Sequence, residues 1–398
     1  MGNKMIKLLK NFLLIVAVIM FSSNLYAARV ISTNAKQALL IDFETNRILL
    51  NKNADVPMAP ASMSKLMTIY LAFEALEQKR ISLDTELIVS EKAWLKKDSK
   101  GKSLPPSGSR MFLEPDTRVK FEDLLRGIII QSGNDACIVV AEGLSGTEEQ
   151  FVEEMNKKAE KIGLTNSNFQ NSTGWPHPEH YMSSIDLAKL SKFLYIEFPE
   201  YMYYFAEKKF EYNGIPQPNR NPVLHSDLGV DGLKTGYTKN SGYGVVVSAI
   251  KDGKRLILVL NGIDTIKNRK AEAERILSWG FREFKNIQLF NSNDAVATVP
   301  VWLGNTPNTD LIVKENITLT VAKGADGEDL KATYKYSSPL KAPISANQIV
   351  GKLLIKDKNG NKIKEYNLYP LENIEKAGPI SRLFSSLSYI IWGESSVR

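Results

Sequence analysis

One cysteine, Cys137, is all that this chain of 398 residues contains. No intrachain disulfide can hold the fold, which must rest on its core. Cys137 sits in the apolar run ACIVVAEGL, where a free thiol packs as a small hydrophobe; its place five residues after Ser132 leaves thiol sensitivity as the alternative. Histidine is almost as scarce. His177, His180 and His225 include an HPEH pair broken by proline and bring no third ligand, so zinc has no convincing site and neither metal nor cofactor is expected. A Ser-His-Asp triad is open by count but not required. There is no Arg-rich run interleaved with aromatics, which argues against nucleic acid as a partner. Internal repeats and low-complexity linkers are also missing.

What is present begins with an export signal. Residues 1–27 join a basic start (Lys4, Lys7, Lys10) to an apolar core from Phe12 to Phe21 and small residues at Ala27 and Ala28, the layout of a signal peptide cleaved near Ala27. A retained anchor is the alternative, although the apolar run is short for a spanning helix. Removing those three lysines lowers the formal charge from +7 to +4, an excess suited to an anionic wall or membrane surface.

The length suggests two domains, and 43% hydrophobic with 24% charged residues marks a globular chain. ALLIDFETNRILLNKNAD, from Ala38, reads as a hairpin around ETNR. Helical stretches follow in EDLLRGIIIQ, DACIVVAEGL, EEQFVEEMNKKAEKIG and SIDLAKLSKFLYIEF. GLKTGYT, YGVVVSAI and RLILVLNGI then restore strands, with KDGK as a hairpin turn, and AEAERILSWGFREF returns to an amphipathic helix. Strands at both ends with helices between predict one sheet carrying a helical lobe. Residues 287–377 read as a separate small β domain, with a tight hairpin at Asn359-Gly360. Residues 378–398 read as an amphipathic helix with Ile380, Leu383, Phe384, Leu387 and Ile391 on one face and Tyr389 and Trp392 near an interface. It is expected to lie on a membrane, docking against the β domain being the alternative.

Chemistry enters at ASMSKLMT, residues 61–68. Met63, Leu66, Met67, Tyr70, Leu71 and Ala75 recur at helical spacing, and Pro60 marks a helix starting at or beside Ser62. Ser62 is then either a helix N-cap with Lys65 in solvent, or a nucleophile whose hydroxyl a desolvated Lys65 amine can reach from three residues on. Ser-x-x-Lys also occurs at Ser99, Ser248 and Ser338. Ser99 lies in the polar run KKDSKGK, Ser338 precedes a proline, and Ser248 lies in a strand where residues three apart face opposite ways.

Two more short motifs follow in order: SGN at Ser132–Asn134 and KTG at Lys234–Gly236, separated from Ser62 and from each other by 70 and 102 residues. Ser-x-Asn is weak alone, since Ser22, Ser32 and Ser345 also begin one, whereas KTG occurs once. The ordered set is that of penicillin-binding proteins and class A β-lactamases. With ASMSKLMT, QSGNDAC, NSTGW, VDGLKTGYT and ILSWGFREF, nearly the whole mature chain resembles the D-alanyl-D-alanine carboxypeptidases, the low-molecular-mass penicillin-binding proteins.

The resemblance implies an α/β penicillin-binding (β-lactamase/transpeptidase-like) domain with a helical lobe over residues 28–286, then the β domain and the anchor. It implies a peptidoglycan stem peptide ending in D-Ala-D-Ala as substrate, β-lactams as covalent inhibitors, and residence on the periplasmic face of the inner membrane. Ser62 would be acylated, Lys65 would be its base, and Ser132 and Asn134 would relay protons and orient substrate. Lys234 would supply positive potential, Thr235 would bind the terminal carboxylate, and the backbone N–H groups of Ser62 and of Tyr237, next to Gly236, would hold the oxyanion. Arg269 matches a family arginine that helps recognise the carboxylate; a plain surface charge is the alternative. Class A β-lactamases differ in having aspartate where Gly133 stands and a Glu-x-x-Leu-Asn segment that is absent here. Cross-link endopeptidase action and a non-catalytic wall scaffold are the remaining alternatives.

Overall fold

The hairpin at the start of the chain finds its partner more than two hundred residues later. In the computed structural model, which describes residues 30–94, 96–97, 103–104, 108–323 and 330–379, strands β1 (Gln37–Asp42) and β2 (Ile48–Lys52) pair around the ETNR turn. Strands β3 (Val230–Thr238), β4 (Gly242–Lys251) and β5 (Lys254–Ile263) complete an antiparallel sheet in the order β2-β1-β5-β4-β3. Leu39 and Leu40 stand opposite Val259 and Leu258, so N- and C-terminal segments close one sheet as the sequence predicts. The KTG motif lies on β3, an edge strand with no strand neighbour on one side among the described residues.

Between these strands lies the helical lobe. Helix α1 (Lys65–Glu77) is buried on nearly every side, not on one face. Its polar residues must therefore be satisfied internally, and Thr68 Oγ1 donates to the Ser172 carbonyl at 2.6 Å. Helix α2 (Phe121–Arg126) runs into a π-helical turn, Gly127–Gln131, followed by α3 (Asn134–Ser145), α4 (Glu148–Lys161) and α5 (Ser184–Glu197). Thr147 and Ser183 cap α4 and α5 by accepting from the N–H groups of Gln150 and Asp186. Helix α6 (Ile266–Glu283) buries Ala273, Ile276 and Leu277.

Two compact units divide between Arg282 and Glu283. The second begins there because Phe284–Phe290 is already a strand, paired with Ile317–Ala322. A six-stranded sheet follows in the order Leu330–Tyr336, Gly351–Asp357, Lys362–Pro370, Asn308–Ile312, Ala295–Trp302, Leu340–Lys341. Alternation places Tyr366 and Leu368 inward beside Leu311, Leu353 and Ile355. The Asn359-Gly360 hairpin is held by the Asp357 carboxylate, which accepts from the N–H groups of Asn359 and Asn361. Among the described residues no helix is long and apolar enough to cross a membrane. The signal peptide, residues 1–27, and residues 380–398 of the amphipathic stretch lie outside the described residues.

Candidate active site

Ser62 is not a helix cap. It lies in a 3-10 turn, Ala61–Ser64, and α1 starts only at Lys65. Ala61 adopts a positive φ of 49°, a strained conformation for alanine. Ser64 ties the turn by donating to the Ala61 carbonyl at 3.0 Å. Lys65, fully buried, sets its Nζ 2.9 Å from Ser62 Oγ, 2.7 Å from Asn134 Oδ1 and 2.5 Å from the Thr173 carbonyl oxygen.

That arrangement has the chemistry a base requires. Burial pushes the Lys65 ammonium down to about 8, because a desolvated charge is disfavoured. A neutral amine has two N–H donors and one lone pair. Asn134 Oδ1 and the Thr173 carbonyl can only accept, so they take both donors and the lone pair is left for the Ser62 hydroxyl proton.

Ser132 ends the π-helical turn in the left-handed region, at φ 66° and ψ 33°. Gly133 N–H donates to the Gly127 carbonyl and Asn134 N–H to the Ser109 carbonyl, both at 2.8 Å, which swings the next helix in over Lys65. Asp135 secures the corner: its carboxylate accepts from the backbone N–H groups of Met111, Phe112, Leu113 and Ala136. Ser132 Oγ is buried on the cavity wall and has no hydrogen-bond partner among the described residues, as expected of a hydroxyl held for a ligand.

The third motif arrives on β3. Lys234 is buried, and burial first, then the nearby Lys65 and Arg220 charges, hold its ammonium well below the ordinary range. A side chain at Gly236 would place its Cβ 2.7 Å from the Pro60 carbonyl oxygen, so only glycine lets this edge strand lie against the Ser62 turn. Gly174 meets the same turn from the other side. Its φ is +74°, and a Cβ there would come within 2.1 Å of the Ala61 carbonyl oxygen.

Arg269 is no surface charge. It is 6% exposed, lies over the Tyr243 ring at 5.5 Å and is pushed down to about 10 by burial. Its Nε has no partner among the described residues. Ser62, Ser132, Thr235, Gly236, Tyr237 and Arg269 line one cavity of about 500 Å³. Asn134 lines the adjoining cavity at Ser62, while Lys65 and Lys234 are buried.

Arg220, Tyr243, Thr173 and Asp135 were missed by sequence reasoning. Arg220, in the polar loop PNRNP, lines the cavity and carries no motif; Thr173 acts through a backbone carbonyl that no side-chain pattern reveals. Of the other candidates, Cys137 is buried and its thiol pushed up to about 12, which leaves it inert. His177 and His180 each use Nδ1 to accept a backbone N–H. Among the described residues no three metal-ligating side chains cluster.

A serine and a buried lysine on adjacent turns, faced by SGN and by KTG on an edge strand, define a serine acyl-transfer site of the penicillin-binding type. Comparison narrows the class. A profile for D-alanyl-D-alanine carboxypeptidase matches residues 24–265, and one for the penicillin-binding protein 5 C-terminal domain matches residues 284–376. The chain is 38% identical over 355 residues to the D-alanyl-D-alanine carboxypeptidase DacC of Escherichia coli, covering 89% of this chain and 87% of that one. It superposes on penicillin-binding protein 5 from Haemophilus influenzae with a TM-score of 0.81 at 33% identity, covering 88% of this chain and all (100%) of the other. An ampicillin-bound penicillin-binding protein of Listeria monocytogenes matches with a TM-score of 0.56 at 26% identity, over 64% of this chain and 99% of that one. The chain belongs to the D-alanyl-D-alanine carboxypeptidase family of serine peptidases.

Proposed function

We propose that this protein is a serine-type carboxypeptidase that removes the terminal D-alanine from peptidoglycan pentapeptide stems. The observation that carries this reading is the buried Lys65 amine 2.9 Å from Ser62 Oγ at the wall of the cavity. Lys65 takes the Ser62 proton as Oγ bonds to the penultimate D-alanine carbonyl carbon. Backbone N–H groups of Ser62 and Tyr237 hold the oxyanion. The C–N bond then breaks, Ser132 relays a proton to the departing amine, and D-alanine leaves an ester on Ser62 that water hydrolyses. Asn134 orients Lys65 and the stem amide. The substrate carboxylate fixes the register: Thr235 donates to it, Arg269 pairs with it, and Lys234 adds positive potential. β-Lactams enter the same path, but the opened ring remains attached as an ester.

Incubating the protein with a pentapeptide ending in D-Ala-D-Ala should release one D-alanine per peptide, read by mass spectrometry. Penicillin should add one adduct to the wild type and none to Ser62→Ala, whose turnover should fall by at least about 10⁴-fold. Release of no D-alanine, or equal adducts on both proteins, overturns the assignment.

We also propose export, with residues 1–27 as the signal and residues 378–398 as a tether to the periplasmic face of the inner membrane. The apolar face from Ile380 to Ile391 supports the tether. Ending the chain at Ala377 should move the protein to the soluble fraction while turnover of a small peptide continues; a truncated protein that stays membrane-bound refutes it.

A further inference from the structure

The cleft at Ser62 has two arms. Both are lined by Ser62, Gly108, Ser109 and Tyr237. One arm runs to Arg220 and Arg269, and the other, of about 270 Å³, runs to Trp175, Pro176 and Lys239. The proposed reaction assigns the first to the terminal carboxylate, because two guanidinium groups converge there. The second arm must then receive the stem on the acyl side of the cut bond, and its walls have a definite chemistry.

Trp175 supplies the apolar wall. It is 38% exposed, and a Cβ on Gly108 would sit 3.3 Å from its ring and 2.8 Å from Asn134 Nδ2, so loop, indole and the Lys65-bound amide crowd one another. The Trp175 N–H is held by Asn171 Oδ1 at 2.9 Å, fixing the backbone beneath the ring. The same arm is lined by Lys239, in the turn after the KTG strand and directly after Thr238, whose hydroxyl bonds Ser241 Oγ. Among the described residues no carboxylate pairs with Lys239. An aliphatic chain can therefore lie along Trp175 and Pro176 while its charged end meets an uncompensated ammonium.

We propose that this arm is a specificity subsite in which Lys239 selects stems whose third residue ends in a carboxylate and rejects stems whose third residue ends in an amine alone. The inference rests on the carboxypeptidase reading. It gives the arm an attractive and a repulsive element, and discrimination requires both. Lys239 is exposed, so the effect is modest and salt-sensitive.

The test compares two synthetic pentapeptides ending in D-Ala-D-Ala that differ only at the third residue, a diamino dicarboxylic acid in one and lysine in the other. The wild type should favour the first by about five-fold in kcat/KM at low salt, with the ratio shrinking as salt is added. Lys239→Gln should bring the ratio toward one, and Lys239→Glu should invert it. Equal cleavage of both peptides by the wild type, or an unchanged ratio in Lys239→Glu, overturns the subsite alone. Cleavage of neither peptide by the wild type overturns the carboxypeptidase reading and the subsite with it.

Discussion

Lysine is used in opposite ways in the two units. In the first, Lys65 and Lys234 are buried to 0% and 1% exposure, with no carboxylate paired to either among the described residues. In the second, Lys352 and Lys362 remain about half exposed and share Glu365 at 3.4 and 2.7 Å. A surface pair of that kind contributes little, whereas taking an ammonium out of water costs several kcal/mol. In the proposed mechanism stability is exchanged for reactivity: the desolvation that weakens the fold also lowers the Lys65 ammonium toward a neutral amine.

The comparison is broken most severely by removing the buried charge. Lys65→Met fills similar volume without an ammonium; penicillin acylation should fall by about 10³-fold, while the protein still melts cooperatively, relief of the buried charge offsetting the donors lost by Asn134 Oδ1 and the Thr173 carbonyl. Stopped-flow acylation and a thermal melt check both halves. Normal acylation in the folded variant would reduce Lys65 to a structural role.

Gly174→Ala attacks the same site through backbone geometry. With φ at +74° and the Ala61 carbonyl 2.1 Å from the new Cβ, the turn bearing Ser62 must move. Stability should drop by about 2 kcal/mol or more, with acylation reduced beyond that of a surface glycine control such as Gly214→Ala, where a Cβ meets nothing within 4 Å.

A smaller effect comes from pH. With Lys65 at about 8, the acylation rate should climb up to about tenfold per pH unit below 8 and level off above it. Stability has its own sign. The folded state holds this proton less tightly than the unfolded chain, so the penalty is complete below pH 8 and is relieved as pH rises from 8 toward the ordinary lysine range. Lys65→Met should lack this term, so its melting temperature relative to the wild type should fall between pH 8 and 10. The least effect is expected in the second unit, where Glu365→Gln should leave turnover and melting unchanged within error.

The local elements were readable because their causes are local. Apolar alternation around ETNR and KDGK marked the hairpins, and three short motifs in chain order marked the candidate site. The helix expected at or beside Ser62 opens there as a 3-10 turn and becomes α-helical only at Lys65; Ala61 at its head takes a positive φ, close against Gly174 and Gly236, that no propensity favours. The role of Arg269 also stayed open, since nothing in IKNRKAEAE distinguishes an exposed arginine from one held against Tyr243.

By itself the sequence determined the elements, their order and the residue types available for acyl transfer, because periodicity, turns and motifs act over a few neighbouring residues. Only the tertiary structure decided the state of those residues. The Lys65 amine meets what the proposed base needs because Asn134, 69 positions away, and the Thr173 carbonyl, 108 positions away, accept from it while the surrounding segments bury it. Arg220 and Arg269 face one cavity for the same reason: desolvation and convergence come from segments distant in the chain, and they exist only once those segments pack.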